Sequence, residues 1–337
     1  SVEERRVNFE ILDAWRDAAE DCGIPKIEEF NRGDNFGNAY FQMNQRRGTR
    51  CSGARAFLHP IMSRTNLTVL TEAQAQKLIF TKSNNSPRCT GITVNTPNGV
   101  RDFYADKEVI LAAGTIGSPQ LLQLSGIGAA SHLNKLGIEQ IHELGGVGEN
   151  LQDHLQVRTI YKVHNTVTLN QRFNSVAGKA WMGLEYLLFK RGPMTMPPSQ
   201  LGAFAKSDPS LAMPDLEWHV QPLSLDKFGE PLHKFNAITP SVCILRPTSR
   251  GNVKIKSADP NEYPAITMNY LSTMEDQIAA VEGLKFTRRI MKADPLAPYS
   301  PRELKPGPNV QSDADLLEAT GDLGTTIFHP VCTCKMG

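Results

Sequence analysis

The sequence predicts an α/β chain, α+β overall, with one part built on a strand-turn-helix corner and another on an antiparallel sheet backed by helices. The corner is Val109 to Gly128, VILAAGTIGSPQLLQLSGIG. Val109, Ile110 and Leu111 suit a strand buried on both faces, and Ala112, Ala113 and Gly114 then shrink the side chains to almost nothing. The sheet is announced by Asp215 to Leu223 (DLEWHVQPL), Ser241 to Leu245 and Gly251 to Ser257 (GNVKIKS), which alternate with period 2 as antiparallel strands with one buried face do. Met274 to Met291 sets Ile278, Val281, Leu284, Phe286 and Ile290 near one face of a long helix.

A chain of 337 residues suggests about two domains. Thirty-six basic against thirty-five acidic residues leave a net charge of +1, which gives no electrostatic case for nucleic acid or an anionic membrane as partner. No apolar run approaches the roughly 18 residues of a membrane helix. The six cysteines are scattered apart from Cys332 and Cys334, and a chain of this size builds a core without disulfides. Free thiols in a reducing, cytoplasmic compartment are the expectation, with peripheral membrane association left open. The Cys332/Cys334 pair lacks zinc spacing and a second pair nearby, so no metal is expected. The opening SVEERRVNFE has no initiator Met and no signal pattern, and reads as a start inside a longer protein.

Within the corner, Ser118 is the expected N-cap and Pro119 the first helical residue, with Leu121, Leu122 and Leu124 as packing face and Gly126 and Gly128 as stops. Local physics leaves two readings: an ordinary corner packed with small residues, or a place where something approaches the backbone. Before it, Glu10 to Cys22 predicts an amphipathic helix closed by Gly23 and Pro25. Gly48 to Pro60 predicts a turn feeding a helix capped by Ser52, and Arg46, Arg47, Arg50 and Arg55 read as solvated charges more readily than as an anion patch. Leu67 to Leu70 and Leu78 to Phe80 predict two strands, and Cys89 to Val94 with Arg101 to Tyr104 a hairpin around Pro97 to Gly99. After the corner come a short helix at Ser131 to Gly137, a strand-like Ile138 to Leu144 and the turn GGVGENLQDH, which lacks the spacing of a phosphate loop. Val157 to Val163 is strand-like, Ala177 to Phe189 helical, and Arg191 to Gln200 a Pro- and Met-rich loop. Five prolines between Pro295 and Pro308 mark a linker, and Asp313 to Ala319 a last helix.

Four motifs carry a resemblance. GTIGSPQLLQLSGIG, QMNQRRGTRCSGARAFLHP, LRPTSRGNVKIKSADPNEYPAITMNYL and IFHPVCTCKMG resemble the glucose-methanol-choline (GMC) oxidoreductases, choline dehydrogenase-like branch, FAD enzymes that oxidise alcohols. The resemblance implies a partial FAD-binding Rossmann-like domain over 1–155, a substrate-binding domain over 156–294 and a linker with return to the FAD domain over 295–337. It implies that Ala113 and Gly114 lie beside the flavin, that the Ala75 backbone meets the adenine, where the family often has Val, and that the 191–200 loop lies over the substrate pocket. Oxidising an alcohol needs a base at the hydroxyl, and histidine, with a pKa of about 6.5, is suited to accept the proton. The eight histidines cannot be told apart on physics; the resemblance selects His329 as catalytic base. His219 is a second candidate for lining the pocket, against the plainer reading of a histidine on the sheet surface. Gly is common in the family where Cys332 stands, which implies a turn suited to Gly.

Two family features are missing from the sequence: the G-x-G-x-x-G phosphate-binding turn and the second catalytic His or Asn downstream of the His329 motif. The expectation is a piece lacking both ends of the family pattern, inactive alone, whose parent takes a small alcohol to aldehyde or ketone and passes electrons to oxygen, a quinone or another acceptor. Alternatives are a hydroxynitrile lyase without net redox, which uses the same fold and base, and a binding module without flavin.

Overall fold

The computed structural model describes residues 1–83, 86–227 and 229–336, which form two compact units. The first comprises Ser1–Arg64, His154–Arg246 and Met274–Ile327, the second Thr65–Asp153, Pro247–Thr273 and Phe328–Gly337.

In the first unit the elements run α1 (Glu10–Asp21), β1 (Gly37–Tyr40), β2 (Leu155–Val157), β3 (Ile160–Lys162), α2 (Val176–Phe189), β4 (Leu201–Ala205), β5 (Leu216–Gln221), β6 (Ala237–Ile244), α3 (Met274–Lys292), β7 (Arg302–Lys305), α4 (Asp313–Leu323) and β8 (Gly324–Thr326). The strands form one antiparallel sheet in the order β1-β4-β5-β6-β3-β7, with β2 joining β6 to β8. Period 2 sends Leu216, Trp218 and Val220 to one buried face, and α3 packs on it through Gly283 at Leu216 and Phe286 at Trp218. Trp218 stacks edge-on against Phe286, and its Nε1–H donates to Thr287 Oγ1 at 2.8 Å, so the one polar atom of the indole is satisfied inside the core. Gly283 permits that approach: a Cβ there would stand 2.9 Å from Val242 Cγ2. β6 is buried along its whole length, so the expectation of one solvated face fails on the central strands. Their second face is covered too, and it is polar.

The second unit holds the expected hairpin as a three-stranded antiparallel sheet, Gln74–Ser83, Ser86–Thr96 and Gly99–Tyr104. The helix Gly114–Leu124 packs through Leu124 on Leu133, Ile138 and Ile255. Four local expectations are corrected. Val109 to Leu111 is not a strand, because a strand exists through its ladder and no described residue pairs with this run; Ile110 is 81% exposed. Leu67 to Leu70 fails for the same reason, leaving one long strand from Gln74. The helix begins not at Pro119 but at Gly114, whose φ of +75° turns the chain into it, so Pro119 lies inside the helix. Ser52 accepts from the Arg55 N–H at 3.3 Å but stands one residue before the expected place: the N-cap is Gly53, and the segment is a π-helical turn, Ala54–Leu58.

Candidate functional site

The second unit brings His329 and the Ala113–Gly114 turn together although more than 200 residues separate them. Pro119 has no N–H to give to the Thr115 carbonyl four residues earlier. That carbonyl accepts instead from Thr333 Oγ1 at 2.5 Å, while Thr115 Oγ1 donates to the Pro330 carbonyl at 2.6 Å. The residue after Gly114 is thereby bonded to the residue after His329. Thr333 is buried, and its carbonyl accepts from the Gly148 N–H at 2.8 Å.

Asp153 fixes the other side of the His329 loop. It is 4% exposed, and its Oδ1 accepts from the His329 backbone N–H at 3.0 Å while Oδ2 accepts from the Tyr270 hydroxyl at 2.5 Å. Gln152 and Val331 exchange backbone hydrogen bonds beside it. The His329 backbone is thus held at both flanks, and the imidazole-bearing residue itself is exposed. Cys332 adopts φ +76°, the left-handed conformation that favours Gly, which accounts for a turn where Gly would fit better.

The residues present fit one wall of a flavin. Ala112, Ala113 and Gly114 are exposed at a helix N-terminus, and a Cβ built on Gly114 would meet nothing within 4 Å, so a flat ring can approach the main chain there. Ala75 lies on the Gln74–Ser83 strand, at the outer edge of its sheet, beside a register irregularity between Ala75 and Lys77. An edge strand offers main-chain donors and acceptors, the only chemistry the adenine reading asks of that position. Leu78, three residues on, donates its N–H to Ser125 Oγ at 2.8 Å, so this strand is tied to the end of the Gly114–Leu124 helix opposite the Gly114 turn.

In the first unit, the face of the sheet turned away from α3 carries buried polar residues in register. Glu217 stands opposite Cys243, which stands opposite Gln156; His219 stands opposite Ser241, and Gln221 opposite Thr239. His219 Nε2 lies 2.9 Å from Glu217 Oε1, and His154 Nδ1 3.8 Å from Glu217 Oε2. Arg158 Nη2 donates to Gln221 Oε1 at 3.1 Å, and burial pushes the guanidinium pKa down from its ordinary value. Phe41 rests over Gly202, where a Cβ would stand 2.1 Å from its ring, and tilts against His219 with centroids 5.5 Å apart. His219 is therefore no histidine of an open sheet surface: it is a half-buried residue held between a carboxylate and a ring. The 191–200 loop borders a cavity of about 660 Å³ lined by Met194, Met196, Pro198 and the 42–50 segment. Arg46, Arg47, Arg50 and Arg55 are all exposed, as solvated charges are.

Sequence reading missed Asp153, Tyr270, Thr115, Glu217 and Arg158. The first three lie inside motifs quoted above, but their role is to hold another segment, and no local pattern says which segment that is. Glu217 and Arg158 were legible only as polar residues at strand positions.

Among the described residues no helix is long and apolar enough to cross a membrane. The GMC oxidoreductase family models match residues 1–156 and 247–337, together most of the chain. The chain is 37% identical over 327 residues to the oxygen-dependent choline dehydrogenase of Staphylococcus xylosus, covering 97% of this chain and 57% of that protein. It is 37% identical over 310 residues to an alcohol dehydrogenase (acceptor) of Pseudomonas putida, covering 92% and 56%. A solved structure of Aspergillus oryzae RIB40 formate oxidase, studied for modification of its FAD, superposes with a TM-score of 0.88 at 26% identity, covering 98% of this chain and 62% of that one. The chain thus spans a little over half the length of the curated relatives it matches.

Proposed function

The chain belongs to the GMC oxidoreductase family, and from that premise we propose that the protein containing it oxidises a small alcohol to an aldehyde or ketone with FAD. His329 takes the hydroxyl proton at its imidazole while the carbon gives up hydride. When bound, FAD supplies the two-electron acceptor for that hydride. Ala113 and Gly114 leave room for the flavin at the main chain, and the Ala75 backbone meets the adenine. The stretch 156–294 handles the substrate.

The observation that supports this reading best is the double tie of the His329 loop, through Thr115 to the small-residue turn and through Asp153 to the 148–153 segment. A general base must be held where its proton acceptor meets the substrate, and this loop is held on both sides of one histidine. In the FAD-loaded protein, His329→Ala should lower alcohol turnover by about 10²-fold or more with flavin retained; an unchanged rate removes His329 from the mechanism. Anaerobic addition of alcohols, choline among them, should bleach the flavin. Cleavage of a cyanohydrin without bleaching by any alcohol would refute oxidation in favour of a lyase. A parallel screen with oxygen and artificial acceptors reads out the electron acceptor.

A further inference from the structure

From the polar face of the first unit's sheet we infer a transition-metal site of the zinc type, built from Glu217, His219 and Cys243. The three side chains offer one carboxylate oxygen, one imidazole nitrogen and one sulfur, all within 4.8 Å of one another. Their placement follows from strand geometry. Glu217 and Cys243 are directly opposed across β5 and β6, and His219 is two residues along β5, so period 2 puts all three on one face. Both strands are central in the sheet, so the donors rest on rigid backbone.

The donor set selects the ion. Thiolate disfavours magnesium and calcium, and the mixture of thiolate, imidazole and carboxylate is the chemistry of zinc and its neighbours. Tetrahedral bonds of about 2.0–2.3 Å place ligand atoms roughly 3.3–3.8 Å apart. Side-chain rotations of about an ångström therefore convert the observed cluster into a coordination shell. His154 Nδ1 lies 3.8 Å from Glu217 Oε2 but outside the three-donor cluster, so the fourth position of a tetrahedral shell falls to a solvent molecule. Gln156 Nε2 donates to Cys243 Sγ at 3.5 Å, an outer contact of the kind that steadies a ligating sulfur. Burial adds to the case. The Glu217 side chain is 9% exposed and Cys243 is 1% exposed, and a carboxylate so placed calls for positive charge beside it. The cysteines singled out in the sequence, Cys332 and Cys334, take no part.

The test is binding to the purified protein, independent of flavin and of turnover. After chelator treatment and dialysis, zinc is counted per chain by elemental analysis, and Co²⁺ is added as a spectroscopic probe read by difference absorption. The site predicts one zinc per chain and a thiolate-to-cobalt charge-transfer band in the near ultraviolet. Cys243→Ser should abolish the band, and Glu217→Gln, which keeps the size of the side chain and a hydrogen-bond acceptor for His219, should weaken zinc at least about tenfold. Circular dichroism of each variant reports its fold, and Glu217→Gln keeps the test decisive where Cys243→Ser does not fold. Wild-type protein that takes up no stoichiometric zinc overturns the inference. So does uptake that survives both substitutions, since the metal is then held elsewhere.

Discussion

Pro119 and Thr333 are joined by one carbonyl, and a double-mutant cycle measures that link. Thr333→Val keeps the shape of the side chain and removes the hydroxyl that donates to the Thr115 carbonyl at 2.5 Å. Thr333 is 1% exposed, and Pro119 gives that carbonyl no helical N–H. The substitution therefore leaves an acceptor short of its main partner, worth about 1–2 kcal/mol. In a Pro119→Ala background the residue 119 N–H becomes available to the same carbonyl, so Thr333→Val should cost about 1 kcal/mol less there. Urea denaturation of the four proteins gives both numbers. Equal costs in the two backgrounds, within the roughly 0.3–0.5 kcal/mol expected of independent sites, would refute the shared carbonyl and with it this account of how the His329 loop is held.

Asp153→Asn keeps an acceptor for the His329 N–H but removes its charge, a loss of about 1 kcal/mol that should speed amide exchange at His329 roughly fivefold, read by residue-resolved hydrogen exchange; an unchanged rate would contradict it. Cys332→Gly should stabilise: relief of left-handed strain, about 1–2 kcal/mol, exceeds the added unfolded-chain entropy of about 0.4–1 kcal/mol, so the urea midpoint should rise. Gly283→Ala should destabilise by about 1–2 kcal/mol, because overpacking against Val242 and Leu216 outweighs the better helix propensity of Ala, and thermal melts check the sign. Hydrogen bonds from Lys305, then His233, hold the Asp226 carboxyl at about 2, below its ordinary 3.8. Its contribution is complete above about pH 4 and is lost as the pH falls towards 2; at 55% exposure it amounts to less than about 1 kcal/mol. Acid titration of stability should therefore shift less for Lys305→Met between pH 4 and 2 than for the unmodified protein.

What was legible along the chain is local. The helices Glu10–Asp21, Val176–Phe189 and Met274–Lys292 were legible because 3.6-residue periodicity needs only neighbours along the chain. The family, the small-residue turn and the histidine of the IFHPVCTCKMG motif were legible because they are contiguous. The sequence erred at Val109 to Leu111 and Leu67 to Leu70, where β-rich composition says that a strand could form but not whether a partner lies beside it. It misread Pro119 as a helix start, because the compensating hydroxyl sits at Thr333, more than 200 residues away. Docking, by contrast, set which distant groups meet: Thr115 with Pro330 and Thr333, Asp153 with Tyr270 and the His329 backbone, and Glu217 with Cys243 across the strand pairing. Register and long-range hydrogen bonds are set by how segments dock, and docking energy is summed over both partners, so neither segment carries it alone.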